Sequence, residues 1–192
     1  SIKKEINRGG MIVNFIGHAA NQDWELGLED PFTLFNGMKM PLVLSMTCFT
    51  GKNSEPNFRG FGEKFLYVPG RGAIGFLGST GWSFSGAGNE MNKFVFRGFS
   101  QDTIRRIGTL LKYANNIMTA DSGNFQVRNM INSYGLLGDP ATKLLLPGYP
   151  EFFIGQTDYR ITNQYPLVGE QVVLTVYPKN YGLYAKDCLV RF

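Results

Sequence analysis

The sequence predicts an α/β fold, a mostly parallel sheet flanked by helices, followed by the start of a β-sandwich. Short apolar runs rich in β-branched and aliphatic residues stand at 11–16, 42–47 and 73–77, each bounded by polar, Gly or Pro residues. Runs of that kind are strands buried on both faces. Segments with helical spacing lie between and after them. Beyond Pro147-Gly148-Tyr149-Pro150 no helical period remains and short alternating runs take over, as at the opening of a sandwich. The chain therefore divides into a domain over 1–148 and the beginning of a second over 149–192.

Residues 1–7 read as the tail of a helix closing at Gly9-Gly10, and the first strand runs from Met11 to Ile16. Asp30-Pro31 can cap a short helix that ends near Asn36-Gly37, before the second strand at 42–47. A strand, helix, strand unit makes its two strands parallel. A polar loop over 50–56 leads to a helix near 61–68, and Pro69-Gly70-Arg71-Gly72 turns into the third strand. The Gly- and Ser-rich loop 78–89, with Trp82 and Phe84, leaves the carboxyl end of that strand.

Helices are expected over 90–99 and 102–118. In the latter Ile104, Ile107, Gly108, Leu111, Ala114 and Met118 form a core stripe, while Arg105, Arg106 and Lys112 fall on the solvated side. A further helix over 125–134 ends at Gly135, and 136–140 turns into a last strand at 142–146. The second region offers strands at 152–154, 159–162, 171–177 and 186–192, with turns at 166–169 and 180–182. Cys188 falls in the last of these, as sandwich core.

A chain of 192 residues is long enough for a full core. Its net charge of +4 is modest and its basic residues are scattered, from Arg59 and Lys64 to Arg105 and Lys112, so no nucleic-acid partner is expected. Two cysteines far apart make neither a disulfide framework nor a paired metal-ligand spacing. The abundance of Gly, Asn, Ser and aromatic residues suits an exported protein. No run reads as a signal peptide or a membrane span. Both ends read as cut inside elements, so the chain is expected to be a section of a longer protein, dependent on the remaining parts of the same polypeptide.

Chemistry concentrates at two strand ends. The single histidine, His18, follows the first strand and Cys48 follows the second. Carboxyl ends of parallel strands line the crevice where open α/β sheets bind ligands, so both project from one rim. A histidine beside a cysteine takes its proton or stabilises its thiolate, which makes a catalyst of a weak group. Singly, each also fits a structural role, as a satisfied histidine or a small buried hydrophobe. Trp24 can wall the site or pack in the core.

Other motifs fail on context. Gly70-Arg71-Gly72-Ala73-Ile74-Gly75 satisfies G-x-G-x-x-G, but it enters a strand, whereas dinucleotide binding needs it between a strand and a helix. The segment 81–86 resembles a nucleophile elbow with one residue too many, and the only histidine precedes it. Asp23, Glu25, Glu29 and Asp30 crowd the loop after His18; they read as a solvated rim with a cap at Asp30. No metal site is expected there, and a structural calcium ion stays open without an evident ligand set.

In order along the chain, Val13-Asn14-Phe15-Ile16-Gly17-His18 with Trp24, Pro41 through Cys48, Gly72 through Thr80, Glu90-Met91-Asn92 and Leu137-Gly138-Asp139-Pro140 resemble the gingipain family of cysteine peptidases, which includes the surface peptidase of the type nine secretion system. The resemblance spans about residues 9–147. It implies a caspase-like α/β domain, here its C-terminal half, and an immunoglobulin-like domain after it. It implies a cysteine endopeptidase, secreted or at the bacterial cell surface or envelope, that acts on protein or peptide substrates and requires no cofactor. By the same resemblance Cys48 attacks the scissile carbonyl, His18 protonates the leaving amine, and the backbone N–H groups of Ala19 and Cys48 hold the oxyanion. Trp82 and Phe84 lie in the segment that borders the family's primary specificity pocket. The family commonly has glycine where Ala19 stands, a departure that leaves a rival reading: an inactive relative serving as a binding or assembly module of a larger surface protein.

Overall fold

The computed structural model describes residues 1–20, 23–25, 28, 30–100, 104–120, 123–145, 152–180 and 187–190. It divides into two compact units, Ser1–Leu144 and Leu145–Phe192.

The first unit is built on a four-stranded sheet of order β1-β2-β3-β4: β1 (Ile12–Ile16), β2 (Leu42–Met46), β3 (Gly75–Ser79) and β4 (Tyr134–Gly138). β1, β2 and β3 are parallel, as expected, and β4 is antiparallel to β3. Helix α1 (Ile2–Arg8) begins at Ser1, whose hydroxyl accepts from Lys4 N–H. Asp30 caps a single 3₁₀ turn, Pro31–Thr33, by accepting from Phe32 N–H at 3.0 Å. Helix α2 (Phe61–Tyr67) precedes β3; α3 (Ser85–Ser100), α4 (Ile107–Thr119) and α5 (Phe125–Ser133) follow it.

Period two sorts the strand residues onto two faces. Phe15, Val43 and Phe76 join Ile6 of α1 and Phe61 and Phe65 of α2 in one buried cluster. On the other face Leu42, Leu44 and Leu77 meet Val95 of α3 and Ile107, Leu110 and Leu111 of α4 around an apolar gap of only ≈ 10 Å³. Helices on both faces are what a parallel sheet requires.

Three expectations are corrected in this unit. The last strand is β4 and not 142–146. Helix α5 stops at Ser133 and the chain enters the strand at Tyr134 with no intervening loop, so Gly135 pairs with Gly78 in the sheet and does not end a helix. Residues 142–144 instead bind the start of α4: Ile107 N–H donates to Thr142 O at 3.0 Å and Leu144 N–H to Arg105 O at 2.9 Å; Leu146 lies outside the described residues. The loop after β3 is shorter than 78–89, because α3 already begins at Ser85. The expected start of α4 at Asp102 also lies outside the described residues, and the observed helix begins at Ile107.

The second unit holds two antiparallel pairs, β5 (Phe152–Phe153) with β8 (Lys179–Asn180) and β6 (Tyr159–Ile161) with β7 (Leu174–Val176). Asp158 is its buried anchor: its carboxylate accepts from Gly155 N–H at 2.9 Å and pairs with Lys179 Nζ at 2.6 Å. The Lys179 ammonium beside it holds this carboxyl below the ordinary carboxylate range. Asn180, expected in a turn, is in β8. The strand expected at 186–192 lies partly outside the described residues; over 187–190 the backbone is irregular and Cys188 is exposed, so it is not a core residue.

Candidate active site

The register of the sheet sets the site. Ile16 of β1 pairs with Met46 of β2, and His18 and Cys48 each stand two residues further on. Both therefore leave the carboxyl rim at the same level, on neighbouring strands whose spacing is about 4.8 Å. They line one open cleft of ≈ 640 Å³ together with Ala19, Ala20, Asp23, Phe49 and Trp82. His18 is exposed and Cys48 half-buried.

The turn that carries Cys48 is tightly held. Thr47 N–H donates to Ser45 O at 3.0 Å and Thr50 N–H to Cys48 O at 2.8 Å, two consecutive tight bends. Phe49 N–H donates to Gly81 O and Gly51 N–H to Ser79 O, at 2.9 and 2.8 Å, which moors the turn to the end of β3. Phe49 adopts φ 59°, a left-handed conformation that costs a bulky residue about 1–2 kcal/mol. This strain sits directly after the thiol, where it turns the chain sharply out of the strand.

Ser83 meets the sulfur in either protonation state. Its N–H donates to Cys48 Sγ at 3.3 Å, and the thiol faces its carbonyl at 3.7 Å. Hydrogen bonds to a thiolate favour the charged form. Two further amides belong to residues lining the cleft: among the described residues neither Ala19 N–H nor Cys48 N–H donates a hydrogen bond. Ala19 forms an isolated antiparallel bridge with Trp24, in which Ala20 N–H donates to Asp23 O and Glu25 N–H to His18 O. Positive φ among described non-glycine residues is confined to Phe49 and Asn57, so Ala19 occupies ordinary backbone space and needs no glycine.

The aromatic residues proposed for substrate part company. Trp82 is 69% exposed and lines the cleft, edge-on to Phe49 at 5.0 Å. Trp24 is 1% exposed and stands in the core, stacked on Phe15 at 4.5 Å and tilted against Phe61 and Phe65; its expected place on the cleft wall is corrected. Phe84 is half-buried against Phe125 of α5 and is not among the residues lining the cleft. The acidic cluster is dispersed: Asp30 caps the 3₁₀ turn, Asp23 reaches the cleft, Glu25 is exposed and Glu29 lies outside the described residues. Sequence reasoning passed over Phe49 and the Ser83 backbone, because a strained φ and a main-chain donor leave no mark in residue type.

Residues 1–145 match the family model for Peptidase family C25. Among solved structures, the arginine-specific cysteine proteinase gingipain R (RgpB) is similar with TM-score 0.65 at 18% identity, over 83% of this chain and 41% of that one. A structure described as a protease gives 0.64 at 16%, over 82% and 42%. The complex of the pro- and mature domains of RgpB from Porphyromonas gingivalis gives 0.62 at 18%, over 83% and 42%. The chain thus spans about two-fifths of the length of these structures, and at such identities the likeness is one of fold. No curated protein matches the chain.

Proposed function

The chain belongs to Peptidase family C25, the gingipain family of cysteine peptidases, and on that premise we propose that it contributes the Cys48/His18 pair of a cysteine endopeptidase. The observation that carries the reading is the cleft that His18 and Cys48 share, with two unengaged amides at its edge. Cys48 thiolate attacks the scissile carbonyl carbon, and the carbonyl oxygen, now an oxyanion, is held by the N–H groups of Ala19 and Cys48. The C–N bond then breaks as His18 imidazolium gives its proton to the departing amine, leaving a thioester on Cys48. Water, deprotonated by His18, hydrolyses the thioester and restores the thiolate. No cofactor enters this cycle.

Trp82 offers an exposed aromatic surface for the side chain preceding the scissile bond. Protein or peptide chains are the substrates, and the protein works outside the cell or at the bacterial surface, exported by the type nine route, together with the remaining parts of its polypeptide. Among the described residues no helix is long and apolar enough to cross a membrane. The antiparallel pairs of the second unit support its reading as the opening of an immunoglobulin-like sandwich. The rival reading, an inactive assembly module, drew on Ala19, and its ordinary backbone conformation removes that support.

The test is labelling with a cysteine-directed peptide probe, with the site mapped by mass spectrometry, alongside Cys48→Ala. Label at Cys48 and a fall in turnover on the order of 10⁴-fold or more are expected. Unchanged turnover in a folded Cys48→Ala protein sinks the proposal.

A further inference from the structure

We propose that Tyr134 is a positioning residue for Cys48, acting through Ser83 and Thr47; the inference rests on the reading of Cys48 as nucleophile. Tyr134 is the first residue of the antiparallel strand β4, 5% exposed, and it lies far from the catalytic pair in sequence. Its hydroxyl donates to Thr47 O at 3.3 Å and shares a 2.8 Å hydrogen bond with the Ser83 hydroxyl. Thr47 immediately precedes the nucleophile, and Ser83 N–H is the donor to its sulfur. One phenol therefore ties together the two backbone segments whose separation fixes the Ser83 N–H to Cys48 Sγ distance.

The surrounding contacts act in the same sense. Just ahead of Tyr134 the chain grips the 79–83 loop at several further points: Thr80 N–H donates to Ser133 O at 2.9 Å, Ser79 Oγ to Ser133 Oγ at 3.1 Å, and Asn129 Nδ2 to Trp82 O at 2.8 Å. The end of α5 and the start of β4 form a clamp on the loop that supplies both the sulfur's donor and the exposed Trp82. Within that clamp, among the described residues, only Tyr134 also reaches the Cys48 turn. Burial keeps its phenol protonated well beyond the ordinary range for tyrosine, so it remains a donor to Thr47 through the neutral and mildly alkaline range.

Removing the hydroxyl alone should let the Ser83 loop and the Cys48 turn drift apart, weakening the donor that favours thiolate. In Tyr134→Phe the pH midpoint for iodoacetamide alkylation, read by mass spectrometry on the Cys48 peptide so that Cys188 does not interfere, should rise by about half a unit or more. On a peptide substrate kcat should fall about tenfold with KM little changed, since a 1 Å misplacement costs that order or more. Ser83→Ala, which keeps the backbone donor but removes the hydroxyl that Tyr134 holds, should move both readouts the same way. A residue that contributed stability alone would lower Tm and leave the alkylation midpoint and kcat where they were. Unchanged midpoints in folded Tyr134→Phe and Ser83→Ala overturn the inference, whatever Cys48→Ala does to activity; full turnover in Cys48→Ala overturns the peptidase reading instead, and the alkylation midpoint still decides the link.

Discussion

The indole N–H of Trp24 donates to Ser45 Oγ across 2.9 Å, and this bond joins the loop after His18 to the strand that leads into Cys48. Ser45 Oγ lies in turn 2.9 Å from Thr50 Oγ1, so a relay of three buried side chains runs from beneath His18 to the far side of the Cys48 turn. Around it Phe15, Phe61 and Phe65 exclude water. Low local dielectric strengthens each bond and makes an orphaned partner expensive. The loop after His18 and the turn after Cys48 are thus joined through three buried side chains.

Trp24→Phe should therefore affect both fold and chemistry. The phenyl ring fills most of the site but leaves Ser45 without its donor and a small void, for a loss of about 1–3 kcal/mol. Urea unfolding should show that loss, and kcat should fall as the His18 loop loses its anchor. A variant with wild-type stability and turnover would mean that the relay does not hold the site.

Gly51 offers a sharper test of the Cys48 turn. A Cβ built there would overlap the carbonyl of Gly78, because Gly51 N–H is drawn against the end of β3 by its bond to Ser79 O. Gly51→Ala must push the turn outward, at a cost of about 1–3 kcal/mol typical of overpacking. Turnover should drop alongside stability. Normal activity in the alanine variant would show that the turn tolerates displacement and that its mooring is incidental.

Why were the strands legible and their last partner not? β2 and β3 are buried along their whole length, and that pattern survives in sequence alone; β1, at the edge of the sheet, buries Phe15 but leaves Asn14 and Ile16 exposed, so only its aliphatic composition marked it. β4 reads Tyr-Gly-Leu-Leu-Gly, and its glycines face Gly78 and Gly75 across the ladder; such pairs look like turn signals until the partner strand is seen. The placement of His18 and Cys48 on one rim was legible by the same logic, since strand ends position them. Trp24 was ambiguous because an aromatic residue near a catalytic histidine can face either way, and only the tertiary fit of its ring against Phe15 decides. The Ser83 donor and the Tyr134 hydroxyl depend on long-range placement of a main-chain group and a strand start, for which sequence carries no local signature.

Tyr134 should also leave a mark on alkaline stability. Burial raises its pKa well above the ordinary 10.0, so the folded state keeps a proton that the unfolded chain releases. Its contribution is fully present below about pH 10 and declines as pH rises toward the folded value, by about 1.4 kcal/mol per unit. The stability difference between wild type and Tyr134→Phe should therefore shrink steadily above that point. Urea denaturation of both proteins across the alkaline range measures this, and a constant difference would contradict a buried, neutral phenol.

The two aromatic residues of the loop after β3 should separate by readout. Trp82 leaves most of its ring in solvent, and that ring meets Phe49 edge-on, so Trp82→Ala, which keeps the main-chain carbonyl that Asn129 holds, should cost little stability, within about 0.5 kcal/mol. If its ring is the surface on which the residue before the scissile bond rests, kcat/KM should fall about tenfold, equivalent to about 1.4 kcal/mol of lost contact. Phe84 packs on Phe125 at 5.9 Å, and Phe84→Ala should instead lower stability by about 1–2 kcal/mol for a half-buried ring and its aromatic pair, with kcat/KM close to wild type. Thermal unfolding and steady-state kinetics on the same two variants give both axes. Should Phe84→Ala impair turnover while Trp82→Ala does not, the substrate path runs along α5 and the cleft lined by His18, Cys48 and Trp82 is not where the peptide lies.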